Sequence, residues 1–182
     1  MPGIYYTGRD KAQIQMQRIG DNMKIIEVKG DLFNTAGYTD KPVMFAHCIA
    51  SDFGMHGGIA TQFIEHFDMK TKLIDWAKAH MIPLNKNKRY TAFRPTLVGK
   101  AVRIENTYNL ITKETTFGKP TMEDLTASLQ DMKRQMVENK ETVLAIPDMI
   151  GCGIDGLNRS QVLTTIQSIF LMTGITIYVV RL

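Results

Sequence analysis

Cysteine is scarce in this 182-residue chain, with Cys48 and Cys152 the two present. That is too few for the disulfide framework of a small secreted domain. One lies in an apolar, strand-like run and the other between two glycines, which suits a reduced pair better than a disulfide or a ligand set. Histidine is almost as rare: His47, His56, His66 and His80 fall at no spacing with other ligands that would hold a metal. No metal and no cofactor is expected. No apolar run approaches the roughly 20 residues that span a membrane, and Met1 to Asn22 lacks the apolar core of a signal peptide. The expectation is a soluble, cytoplasmic monomer with no membrane partner. Repeats, low-complexity tracts and interdomain linkers are also missing, so one core suffices for this length.

What is present is an ordinary globular composition, 44% hydrophobic, with a net charge of +4 and an isoelectric point near 9.0. A mild basic excess suits an anionic ligand without establishing nucleic-acid binding. Lys86, Lys88, Arg89 and Arg94 cluster beside Tyr90 and Phe93. That segment reads as a solvated loop or as a DNA contact.

Hydrophobic periodicity alternates between the two regular types along the chain. Lys24 to Lys29, Val43 to Ile49, Leu97 to Arg103, Thr107 to Thr112, Thr142 to Ile146 and Ile175 to Val180 read as strands. Helical spacing governs Ile59, Phe63 and Phe67, the stretch Leu73 to His80, and the stripe Met122, Leu125, Leu129, Met132 and Met136, whose methionines read as core filling. It returns in Val162, Leu163, Ile166, Ile169 and Phe170. Thr121 with Asp124, after Pro120, and Asn158 with Gln161 are placed to cap the last two helices. The fold class expected is α/β, a mixed sheet covered on both faces. Residues 1–22 read as a polar, unpatterned N-terminal extension.

Two strand-turn-helix units carry glycine at the turn. In Ile146-Pro-Asp-Met-Ile-Gly151-Cys-Gly153-Ile-Asp155, a strand runs into glycines and an acid just before a helix. In Ala50-Ser-Asp-Phe-Gly54-Met-His-Gly57-Gly58-Ile-Ala60, another strand does the same. Such turns let backbone N–H groups approach an anion, and the helix N-terminus adds partial positive charge. Either alone could be an ordinary turn. Together they could hold opposite sides of one extended, phosphate-bearing ligand.

Val28-Lys-Gly-Asp31-Leu-Phe33, Ala46-His-Cys-Ile49 leading to Gly57-Gly58-Ile-Ala60, Tyr108-Asn-Leu-Ile-Thr-Lys113, Lys119-Pro-Thr121 and Gly151-Cys-Gly-Ile-Asp155 resemble, in order and spacing, the motifs of a macrodomain. The resemblance runs from about Met23 to Leu182 and is narrower for the terminal ADP-ribose protein glycohydrolase subgroup. That subgroup includes DNA ADP-ribosyl glycohydrolase antitoxins and related ADP-ribose phosphatases. The asparagine-rich turn of other macrodomain hydrolases is replaced by His47-Cys-Ile-Ala-Ser51.

The resemblance implies a three-layer α/β/α sandwich with a central mixed sheet over residues 23–182, and ADP-ribose as ligand. It implies that Asp31 accepts from the adenine amino group with the backbone of Leu32 assisting; from its position alone, Asp31 could equally be a turn residue. It places Ala50, Ser51, Met55, Gly57, Gly58, Ile59 and Ala60 along one side of the diphosphate and ribose. Asp148, Met149, Ile150, Gly151, Cys152, Gly153 and Ile154 take the other side, with Leu182 touching the site.

By resemblance, the catalytic residues are Lys113, whose amine attacks the anomeric carbon of the distal ribose to form a covalent intermediate, and Asp155, which handles protons. Read without it, Lys113 is a lysine at a strand end and Asp155 a helix cap. An amine attacks only when neutral, and a neighbouring carboxylate favours the charged form, so the active protonation state stays open. A serine of the protein-directed enzymes falls at Ala50, with the hydroxyl here one place later at Ser51, and Gly54 occupies a position that can be basic.

The function expected is an ADP-ribosyl hydrolase. Its acceptors would be glutamate or aspartate esters on ADP-ribosylated protein, and ADP-ribosylated DNA is a further partner. The alternatives are an ADP-ribose 1''-phosphate phosphatase and a non-catalytic ADP-ribose reader.

Overall fold

The computed structural model describes residues 14–19 by their backbone and residues 23–80, 82 and 97–181 in full. Lys86, Lys88, Arg89, Arg94, Tyr90, Phe93 and Leu182 lie outside the described residues. Among the described residues seven strands, β1 (Ile14–Ile19), β2 (Met23–Lys29), β3 (Met44–Ala50), β4 (Ala101–Ile104), β5 (Thr107–Lys113), β6 (Val143–Pro147) and β7 (Thr176–Arg181), form one sheet in the order β1-β2-β7-β6-β3-β5-β4. The five inner strands are parallel, and β1 and β4 close the edges antiparallel. Among the described residues, Ile14–Ile19 of the segment read as an N-terminal extension thus contributes a strand to the sheet.

The inner strands are apolar on both faces because helices cover both. Phe45, Ile49, Ile111, Ala145 and Val180 point to the side of α1 (Ile59–Phe67) and α2 (Met69–Ala79), meeting Phe63, Met69 and Leu73. Met44, Ala46, Leu110, Leu144 and Val179 point the other way, toward α3 (Met122–Glu138) and α4 (Arg159–Phe170), meeting Leu129, Met132, Ile166 and Phe170. The result is the three-layer α/β/α arrangement expected. Met132 and Met136 are fully buried and fill the core.

Both helix caps form as the sequence indicates, with Thr121 Oγ1 accepting from the Asp124 amide and Asn158 Oδ1 from the Gln161 amide. One strand is shorter than its pattern. Leu97 to Lys100 is a turn rather than the start of β4, because Gly99 takes φ +84°, outside strand geometry, while its amide still bonds the Ile111 carbonyl. Among the described residues no helix is long and apolar enough to cross a membrane.

Parallel order puts the C-terminal ends of β2, β7, β6, β3 and β5 along one edge of the sheet. At that edge β3 and β6 pair only through Met44–Leu144 and Phe45–Ala145, near their N-terminal ends. Beyond those residues the ladder stops. The segment leaving β3 then feeds α1 on one face and the segment leaving β6 feeds α4 on the other, the arrangement in which open α/β sheets bind ligands.

Candidate functional site

Lys113 ends β5, and its reach is set by an irregularity in the ladder. Ile49 pairs with Ile111, but Ala50 pairs with Lys113, so Thr112 is an extra residue in β5. A bulge of this kind re-aims the side chain that follows it. Lys113 Nζ lies 2.5 Å from Asp155 Oδ1, with the two side chains only 10% and 13% exposed. Asp155 comes from the loop after β6, so the pair joins two separate strand ends. It does not cap α4, whose N-cap is Asn158.

Backbone amides collect beside this pair. The N-cap of α1 is Gly58, at φ +61° and ψ −148°, a conformation that excludes a side chain and leaves the first helical turn uncapped. Among the described residues, the amides of Gly57, Gly58, Ile59 and Ala60 donate no hydrogen bond within the chain, and neither do those of Gly151, Ile154 and Asp155. The two segments approach each other closely. A Cβ on Gly57 would meet Ile154 Cδ1 at 3.0 Å, and one on Gly58 would meet it at 3.4 Å. Among residues 148–155, the Asp148 amide is spent on the Val180 carbonyl of β7, and those of Ile150, Cys152 and Gly153 on turn bonds that shape this loop.

The remaining site residues divide between presenting and supporting. Met149 and Ile154 stand exposed, as does Asp31 at the end of β2. Asp31 Oδ1 accepts from the Phe33 amide, so the acid also builds its own turn. Phe33 stacks on His66 of α1 with ring centroids 4.1 Å apart, which fixes that turn against the helix. Leu32 is buried and its carbonyl accepts from Tyr38 Oη.

Ala50, Met55, Ala60, Ile150 and Cys152 are buried among core side chains, so any contact they offer a ligand is through the backbone. Ser51 is also buried, and its hydroxyl donates to the Glu114 carbonyl at 2.7 Å. Asp148 is occupied: its carboxylate accepts from Arg159, and its amide donates to Val180. The Asp148 bonds lock the base of the β6 loop and the Ser51 bond ties the end of β3 to β5, so neither side chain is offered to a ligand.

Two titratable groups beneath the site are held uncharged. Burial foremost, then the Asp155 carboxylate, pushes the Cys48 thiol up, against the opposing pull of Lys113. Cys48 and Cys152 are both free thiols. Burial lowers His47 to about 4, with its bond to Asn109 opposing the shift. His47 Nε2 lies 2.7 Å from Asn109 Oδ1 and the ring stacks on Phe63, so it is a core residue. No group of His, Cys, Asp and Glu among the described residues is arranged to hold a metal ion.

Sequence reasoning missed Asp52 and Thr116. Asp52 is buried, and it accepts from the Gly54 amide and from both the amide and the hydroxyl of Thr116. An aspartate two residues before a glycine is a turn signal that could have flagged it. Nothing in the sequence around Thr116 marks it as its partner.

The human ADP-ribose glycohydrolase OARD1 is 35% identical to this chain over 164 residues, covering 89% of the chain and 94% of that protein. The chain belongs to the macrodomain family, in its terminal ADP-ribose glycohydrolase branch. No protein-family model matches it. Solved macrodomains share the fold. That of Mycobacterium tuberculosis DarG superposes with a TM-score of 0.64 at 20% identity, covering 84% of this chain and 93% of that one. Thermosipho africanus DarTG, solved in complex with ADP-ribose, gives 0.66 at 16% identity, covering 92% of this macrodomain and 43% of that chain.

Proposed function

We propose that this macrodomain is a hydrolase that binds ADP-ribose and releases it from modified acceptors, with Lys113 and Asp155 carrying the chemistry. The observation that carries the reading is the 2.5 Å contact between Lys113 and Asp155 at the edge where the parallel strands end. A reader of ADP-ribose needs neither group. The relatives named as ADP-ribose glycohydrolases support hydrolysis, and the ADP-ribose complex of a macrodomain-containing protein supports the ligand.

The order of parts along the edge supports an extended pose. Asp31 follows β2, the unspent amides follow β3 and β6, and Lys113 ends β5. Four strand spacings of about 4.8 Å separate β2 from β5, roughly 19 Å in all. An adenine at Asp31, a diphosphate on the amides and a distal ribose at Lys113 follow the same sequence as those elements.

In the reaction, Asp155 takes a proton from the Lys113 ammonium. The neutral amine attacks the anomeric carbon, and the acceptor leaves as a carboxylate when it is a glutamate or aspartate ester. Water then releases ADP-ribose and restores the lysine. We assign protein esters as the main acceptor and ADP-ribosylated DNA as a second, acted on by a cytoplasmic monomer.

The test is turnover on modified protein, modified DNA and ADP-ribose 1''-phosphate side by side, with Lys113→Ala and Asp155→Ala as controls. Release from protein by the wild type, lost in both variants while ADP-ribose still binds, is the expected result. Phosphate release alone would make the enzyme a phosphatase, and unaffected variants would end the catalytic assignment.

A further inference from the structure

The segment between β3 and α1 is held in an unusual conformation. Phe53 and Met55, on either side of Gly54, take φ +54° and +52°, which bulky residues rarely adopt. Both side chains are buried, at 1% and 5% exposure. Such geometry persists only where its surroundings over-determine it. Here they do so from three directions.

Asp52 Oδ1 accepts from the Gly54 amide at 3.0 Å and from Thr116 Oγ1 at 2.7 Å, while Oδ2 accepts from the Thr116 amide at 2.7 Å. Lys70 of α2 donates to the Gly54 carbonyl at 3.0 Å. Thr116 fills the space beside Gly54, where a Cβ would lie 1.7 Å from its Oγ1. One residue earlier, the Ser51 amide donates to the Lys113 carbonyl and its hydroxyl to that of Glu114. The glycine turn is thereby tied to the strand end that carries Lys113.

We propose that Asp52 is a positioning residue for the hydrolysis: it sets the height of the Gly57–Ala60 amides relative to Lys113, so that a diphosphate on the amides places the sugar at the amine. This rests on the hydrolase reading. The carboxylate is suited to the task because all three of its contacts are donors. An asparagine there would turn an NH2 group toward one of those donors and lose that bond. Affinity survives the loss because the β6 loop also grips the diphosphate. Rate does not, since a misplacement of about 1 Å at the reacting atoms costs about a hundredfold.

Asp52→Asn and Thr116→Val are expected to lower kcat for ADP-ribose release from glutamate-modified protein by about 10- to 100-fold, with KM and the calorimetric Kd for ADP-ribose within about threefold of wild type. Thr116→Ser keeps the hydroxyl and is expected to keep kcat. Amide hydrogen exchange across residues 53–58 is expected to quicken in Asp52→Asn and Thr116→Val but not in Thr116→Ser. If Asp52→Asn fails to fold, the valine and serine variants decide.

Unchanged kcat in folded Asp52→Asn and Thr116→Val, beside an active wild type, overturns the inference alone. So does equal damage from serine and valine, or exchange that no variant alters. A wild type that releases no ADP-ribose overturns the hydrolase reading instead, and exchange then tests the clamp by itself.

Discussion

Removing either member of the Lys113–Asp155 pair should destabilise the fold as well as stop turnover, and a double-mutant cycle separates the two effects. The partners are 2.5 Å apart and expose about a tenth of their side-chain surface. Truncating one leaves the other charged, poorly solvated and unpartnered, which costs about 3–5 kcal/mol for buried pairs. Residual exposure puts this pair at the lower end, about 3 kcal/mol for each single alanine variant. In a chain of this length 1 kcal/mol moves Tm by about 2–4 °C, so each should melt about 6–12 °C early.

The double variant leaves no orphan charge and should be no less stable than either single, giving a coupling energy of about 3 kcal/mol. Urea unfolding of the four proteins measures it. Activity should behave alike, with each single losing about a thousandfold and the double little more, because the residues act as a unit. Stability losses in the double that equal the sum of the singles would refute the argument, since the contact would then carry no coupling.

Other outcomes follow from burial and space. His47 is neutral in the fold with its pKa lowered to about 4, against about 6.5 when unfolded. The unfolded chain therefore binds the extra proton first: stability is full above about pH 6.5 and falls by about 3 kcal/mol as pH drops to about 4, and His47→Gln should flatten that part of a urea-stability profile. Gly54→Ala should cost at least about 3 kcal/mol or prevent folding, because its Cβ would lie 1.7 Å from Thr116 Oγ1, whereas Gly153→Ala meets nothing within 4 Å and should change Tm little. Thr121→Ala removes the acceptor for the Asp124 amide and should lower stability by about 1 kcal/mol in the same urea assay.

Much of the fold was legible because burial on both faces writes long apolar runs into parallel strands, and because caps such as Thr121 and Asn158 are short-range signals. Two of the turn glycines were legible because a backbone at positive φ leaves glycine in the chain, as at Gly58 and Gly151. Other features depend on pairings that no local pattern records. The extra residue Thr112 that re-aims Lys113 is visible only against the register of β3. The Asp52–Thr116 bonds join positions 64 residues apart. Leu97 to Lys100 misled because its apolar residues fit a strand while Gly99 bends the chain out of one. The edge strand β1 was passed over although Ile14 and Met16 alternate with Gln15 and Gln17, a weak signal because an edge strand needs only one apolar face.

With the ligand in the proposed pose, the abrupt end of the β3–β6 ladder would tie the lifetime of the protein to its workload. A nucleotide sugar bound there would supply cohesion that the chain withholds from itself, since any ligand that favours the folded form raises its stability in proportion to the logarithm of its concentration. Molecules busy with substrate should therefore resist proteolysis longest, while idle ones open first at this seam.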